Sequence, residues 1–375
     1  MDSQLKRVVI RGTGSFLPNA PVPNERIDDV LGPLTDAPDR VKKFMENIAS
    51  RMLASSGIRY RHFSIDPKTR KLTHTVASLA EESCRKALEA AGKRATDVEL
   101  LVISSANYDE TTPPTSALLQ ERLGIDTCAE MEIHSNCSGV GKSVQVACDA
   151  LRLGRYKNAL VAYSQISSVY LRSSYLNQAQ MNKKQAALRY ILADGSGALY
   201  LEAVDAKPGE ALAHEVIGTY VESVGGRRQA GMTAGGGVGD LSTDPSIEDM
   251  FRKGTHHLDQ DFTAVNRDAG RLCFEGSVKS VESIEPRPKK VDHLIISIPT
   301  RQLYEDNVGL FLEHFGITRD QMKFRAENTG YCGGASLLLH FDEMARDGEM
   351  KPGETVVVHS VESSKWMTAG FVVRW

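Results

Sequence analysis

An α/β fold of two similar halves is what this sequence predicts. Short apolar runs alternate with longer runs of helical period, the first half reads βαβαβ, and its blocks return in the second half. "KRVVIRGTGSFLP" (6–18) is a strand ending in glycine turns. In "THTVASLAEESCRKALEAAG" (73–92), Val76, Leu79, Ala80, Cys84, Leu88 and Ala91 recur at helical intervals, and Gly92 stops the helix. "DVELLVISSAN" (97–107) is a buried strand and "TSALLQERLG" (115–124) a helix. "CAEMEIHSNC" (128–137) is a strand that enters the helix "SGVGKSVQVACDALRLG" (138–154), and "KNALVAYSQ" (157–165) is a strand again. That order predicts a mainly parallel sheet covered by helices.

The repeat sharpens the picture. "VELLVISSAN" (98–107) returns as "VDHLIISIPT" (291–300). The block from Cys137 through helix, turn and strand returns from Cys332 as "CGGASLLLHFDEMARDGEMKPGETVVVHS". Residues 1–205 and 206–375 are therefore expected to be two halves related by a pseudo-twofold axis. The second half carries an irregular, glycine-rich segment, 225–261, expected to be a mobile loop or lid. Residues 38–56 form a basic helical stretch before "GIRYRH".

Composition narrows the function. The chain has 375 residues, 41% hydrophobic and 25% charged, with a net charge of -3, so a nucleic-acid binder rich in uncompensated Lys and Arg is not expected. No apolar run approaches membrane-spanning length, and "MDSQLK" leads straight into a strand pattern rather than a leader, so a cytoplasmic protein is expected. The six cysteines include no Cys-x-x-Cys pair and the histidines no ligand spacing, so no metal site is expected.

"SNCSGVGKSVQVA" (135–147) holds the chemistry. Gly141-Lys142-Ser143 ends a phosphate-loop pattern, but the required first glycine is Asn136, so a nucleotide cradle is not expected. Cys137 stands at the turn from a strand into an amphipathic helix, where unpaired N–H groups and the helix dipole favour a thiolate. Lys142 adds to this if it points back. Position alone leaves Cys137 equally readable as a nucleophile or as a small buried hydrophobe.

Taken together, "NCSGVGKSVQVACDALRLGRYKNALVAYSQ", "GIRYRH", "ILADGSGALYL" and "GGASLLLHFDEMARDGEMKPGETVVVHS…GFVVRW" resemble ketoacyl-ACP synthase III of the thiolase superfamily, over nearly the whole chain. The resemblance implies a thiolase-like fold with a layered αβαβα core. It implies that Cys137 takes an acyl group from a CoA or acyl-carrier-protein thioester, with no permanently bound cofactor. The oxyanion would be held by the Cys137 backbone N–H and a second backbone N–H from the loop at Ser364 and Lys365, that of Lys365. A homodimer, or a hetero-complex with a thiolase-like partner, is also implied.

Two family positions differ. Thr300 stands where the resemblance places a histidine, and Tyr331 where it places an asparagine. Both family side chains serve decarboxylation of a malonyl thioester, so this chain reads as a divergent member. The expected function is acyl transfer through Cys137 to a small acceptor, or priming of an assembly line, in secondary metabolism. The alternatives are a non-catalytic scaffold subunit and a decarboxylative synthase with a rebuilt site. His134 is a weaker candidate base, because strand alternation aims it away from Cys137. His256 and His257 reach a cleft only if segment 225–261 folds over one. Asp306, Glu327 and Asn328 are polar and near the right strand ends. Lys365 and Trp366 are expected to crowd or reshape the pocket. The stretch "RVKKF" and Arg227–Arg228 are candidate contacts for an acidic carrier.

Overall fold

The computed structural model describes residues 5–207, 209–243 and 246–375, with the side chains of 48–52 left aside. Nine strands make one sheet: β1 Arg7–Phe16, β2 Leu100–Ser105, β3 Ala129–His134, β4 Asn158–Ile166, β5 Asp194–Val204, β6 Glu215–Ser223, β7 His293–Ile296, β8 Thr355–Glu362 and β9 Met367–Arg374. Their spatial order is β7-β8-β9-β6-β1-β5-β4-β2-β3. The main helices are α1 Asp39–Ser56, α2 Val76–Ala91, α3 Thr115–Leu123, α4 Gly139–Arg152, α5 Phe262–Glu282, α6 Arg301–Phe315 and α7 Ala335–Arg346.

The two halves run alike, as strand, helix, strand, helix, central helix, strand, strand, except that the first adds β3 before its central helix. They meet where β1 touches β6, through the pair Val9–Glu215 and the bond from Ile10 N to His214 O. The sheet doubles over at this seam, because α4 packs against β2 and β4 on one side and against β6 and β9 on the other. The result is five layers, with α2 and α3 outside, α4 and α7 in the middle, and α5 and α6 on the far side.

Strand alternation builds these layers. Leu100 and Val102 of β2 point into the central core, while Leu101 and Ile103 point to α2. Val356 and Val358 of β8 likewise face the centre, and Val357 faces α5. Because both strand faces are covered, the strands read as unbroken apolar runs rather than alternating ones.

The mainly parallel sheet is corrected. Among the described residues three strand pairs of this sheet are parallel and five antiparallel. Each half opens with parallel crossovers and then returns on antiparallel strands, β5 in the first and the β8–β9 pair in the second. Segment 225–261 is also more ordered than a bare loop. It pairs Met232–Thr233 with Asp259–Gln260 and carries short helices at Val238–Leu241 and Ile247–Lys253. No helix among the described residues is long and apolar enough to cross a membrane.

Candidate active site

Strand β3 delivers the chain to a tight turn. Gly139 N donates to Asn136 O at 2.9 Å, and Ser360 Oγ on β8 donates to the Cys137 carbonyl at 2.8 Å. Cys137 therefore sits between the end of one half and the end of the other. Gly141, the glycine of the phosphate-loop-like run, has a packing role. A Cβ there would lie 2.4 Å from Gly370 N, so α4 can press onto β9 only with glycine at this point.

The sulfur is not alone. Cys137 Sγ lies 2.9 Å from Tyr331 Oη, and Tyr331 Oη lies 2.9 Å from Ser297 Oγ. Ser297 in turn donates to Gly333 O at 3.2 Å. The chain has two polarities. In one, the thiol donates to Tyr331, Tyr331 to Ser297 and Ser297 to the carbonyl. In the other, Ser297 donates to Tyr331 and Tyr331 donates to a thiolate or to an incoming atom. One phenol can thus take a proton and give one without moving.

Electrostatics corrects the expectation of a ready thiolate. Burial pushes the Cys137 thiol up to about 11; the Tyr331 hydrogen bond and, more weakly, that of Ser297 oppose this, while the Glu362 charge adds to it. The helix-end effect is outweighed. Alkylation of Cys137 by iodoacetamide is accordingly expected to rise about tenfold per pH unit from 7 to 10, levelling off only near 11. Mass spectrometry of the Cys137 peptide reads this directly, and a plateau near pH 8 would contradict it.

Glu362, at the end of β8, is buried yet kept ionised. Burial works against its charge, but Ser135 and Ser138 each donate to its Oε2 at 2.6 Å, Ser364 donates to its Oε1, and Lys142 lies near. Lys142 does point back, with Nζ 2.8 Å from Ser135 Oγ, but it serves this carboxylate network rather than the sulfur. The network ties the Cys137 turn to the loop between β8 and β9. Replacing Glu362 by Leu removes the acceptor of the Ser135, Ser138 and Ser364 hydroxyls and the buried charge that balances Lys142, at an expected cost of about 3 kcal/mol. Thermal unfolding measures it.

A cavity of about 470 Å³ opens beside Cys137, lined by residues of both halves. Segment 225–261 contributes Met232, Thr233, Leu258 and Gln260 to its wall. That volume lies in the range of small-molecule sites.

Residues 131–220 match the family described as 3-oxoacyl-(acyl-carrier-protein) synthase III, and residues 282–375 match its C-terminal family. The chain belongs to the ketoacyl-ACP synthase III family. A Beta-ketoacyl-(acyl-carrier-protein) synthase III of Bordetella petrii is 26% identical over 96% of each chain. Among solved structures, the tetronic acid condensing enzyme AbyA1 superposes with a TM-score of 0.76 at 23% identity, covering 98% of this chain and 100% of that one. FabH of Pseudomonas aeruginosa PAO1 gives 0.75 at 17% identity over 98% of both chains. OleA of Xanthomonas campestris gives 0.73 at 17%, over 99% of both. At these identities the structures speak for a shared thiolase-like fold.

Within this synthase III frame the expected site residues divide. Cys137, Tyr331, Thr300 and His134 all line the one cavity. Of these, Tyr331 is hydrogen-bonded to the sulfur. Thr300 caps α6, its hydroxyl accepting from Leu303 N at 3.3 Å. His134 is exposed, tilted against Tyr108 with ring centroids 6.2 Å apart. Lys365 is exposed. It lies outside the cavity lining and donates its side chain to Arg228 O, whereas Ser363 and Ser364 face the cavity. Trp366 is buried away from the cavity, donating to Gln229 O at 2.8 Å, so it does not crowd the pocket.

The histidines of segment 225–261 belong neither to the cleft nor to solvent. His256 stacks on Phe251, and His257 accepts from Asn177 N at 2.9 Å, fastening the segment to the body. Glu327 pairs with Arg301 at 2.8 Å, Asp306 accepts from Gln302, and Asn328 is exposed; none of the three lines the cavity. Arg228 lies 3.9 Å from Asp268. Ser297 and Glu362 were not among the sequence candidates. Ser297 lies inside a repeat block and Glu362 two residues past the end of one, but nothing local marked either.

Proposed function

We propose that this protein is an acyltransferase in which Cys137 takes an acyl group from an acyl-CoA or acyl-carrier-protein thioester and passes it to a hydroxyl or amine acceptor. The Cys137–Tyr331–Ser297 chain carries this reading. Because burial keeps the resting thiol protonated, attack on the thioester needs a proton path at the sulfur itself. Tyr331 supplies one. As the Cys137 S–C bond forms and the donor C–S bond breaks, the thiol proton passes through Tyr331 Oη to the departing sulfur. In the second half the acceptor bonds to the acyl carbon, the Cys137 S–C bond breaks, and the acceptor's proton returns to Cys137 by the same oxygen.

The backbone N–H groups of Cys137 and Ser364 donate to no carbonyl among the described residues and suit an oxyanion. Thr300 and Tyr331, standing where the family's histidine and asparagine are expected, suit transfer without decarboxylation. The outer edge of β3 ends the sheet with Met131 exposed, which supports pairing with a second copy.

The test is intact-protein mass after incubation with a panel of acyl-CoA and acyl-carrier thioesters. One added acyl group, absent in Cys137→Ala, is expected. No adduct on folded protein favours the scaffold reading, and carbon dioxide released from a malonyl donor favours the decarboxylative one.

A further inference from the structure

The cavity has two unlike arms that meet at Cys137. On the side of α5 and α6 the wall is mainly apolar, with Val265, Ala269, Cys273, Leu303 and Phe311 beside Asn266 and Asn307. On the side of the β2 and β4 ends the wall is polar, made of Asn107, Gln165, Ser167 and Tyr170. A pocket for a plain hydrocarbon gains nothing from four such groups, and burying them costs free energy unless they find partners.

Their hydrogen bonds show what is left over. Tyr163 Oη donates to Gln165 Oε1 at 2.7 Å, and Gln165 Nε2 donates to Ser167 Oγ at 2.7 Å. Ser167 therefore has its acceptor side filled, and its O–H proton has no acceptor among the described residues. Asn107 accepts from Ile166 N at 3.0 Å through Oδ1, so its amide protons face the Tyr170 hydroxyl and the cavity. Gln165, Ser167 and Asn107 are all at least 92% buried, since their exposures are 8%, 2% and 5%. The loop after Tyr331 lies directly against this arm: Gly333 has φ 58°, which favours glycine, and a Cβ there would lie 2.1 Å from Gln165 Oε1.

We propose that this arm reads an oxygen acceptor on the acyl group, a hydroxyl or carbonyl oxygen that takes hydrogen bonds from Ser167 Oγ and Asn107 Nδ2. The inference rests on the acyl-transfer reading of Cys137 for its substrate, and it names that substrate as an oxygenated acyl chain rather than a saturated one.

Binding is measured in Cys137→Ala, where no transfer intervenes, with butyryl-CoA, 3-hydroxybutyryl-CoA and 4-hydroxybutyryl-CoA as probes. At least one hydroxylated thioester is expected to bind about tenfold more tightly than butyryl-CoA. Ser167→Ala is expected to bring that ratio, taken between probes within the one variant, to within about twofold. Equal binding of all three, no binding of any, or a preference that survives Ser167→Ala overturns the proposal. A preference present in Cys137→Ala while the wild-type protein forms no acyl adduct upholds this arm and sinks the Cys137 reading instead.

Discussion

Tyr331→Phe is expected to slow acylation of Cys137 by about 10²–10⁴-fold, the usual worth of a positioned proton-transfer group. The substitution removes one oxygen and keeps the ring, so the cluster with Ile191, Leu192 and Phe63 stays filled. Ser297 and the thiol each lose their bond to the phenol, but Ser297 keeps its bond to Gly333 O. The stability cost is therefore about 1 kcal/mol, small against the kinetic effect. The thiol itself should become harder to ionise, since the Tyr331 hydrogen bond is the largest influence lowering its pKa. Single-turnover mass measurements of the acyl-enzyme decide the matter, with Ser297→Ala as a milder control in which the phenol still reaches the sulfur. A Tyr331→Phe rate within twofold of wild type would remove the phenol from the mechanism.

Gly141→Val is expected to cost about 3 kcal/mol or more and to show as low soluble yield and a lowered Tm. A Cβ at this position lies 2.4 Å from Gly370 N and 2.6 Å from the Ala369 carbonyl carbon. These are backbone atoms of β9 in the middle of the sheet, so they cannot swing aside as a side-chain tip would. Helix α4 cannot retreat either, because β2 and β4 close its other side. A variant with the wild-type Tm would show that α4 is free to shift, contrary to the packing described. The same contact explains why Gly-Lys-Ser here belongs to a buried helix and not to a phosphate cradle.

Much of the architecture was legible in the chain. Apolar runs of strand length between amphipathic helices fix covered sheets, because only burial on both faces accounts for strands without a polar side. The return of the Cys137 block at Cys332 fixes two like halves, since similar patterns bury similar faces. Strand direction was less legible: β5 and β9 carry the same kind of apolar run as β2, and only the route of the connecting chain makes them antiparallel.

Cys137 and Tyr331 were visible as positions, one at a strand-to-helix turn and the other at a family site. What links them was not. Ser297 and Tyr331 are 34 residues apart, Cys137 and Tyr331 194 apart, and no local pattern records a hydrogen bond over such separations. The same holds for Glu362, whose carboxylate is reached by Ser135 and Ser138 from more than 220 residues away. The thiol's pKa turned the other way from the local expectation for one reason. A helix terminus is a property of neighbouring residues, whereas desolvation depends on what the rest of the chain places around the sulfur. By itself the sequence determined the layered fold and the place of Cys137 in it. Only the tertiary structure decided the thiol's protonation, its phenol partner and the polar arm beside it, because each depends on atoms that folding alone brings within hydrogen-bond reach.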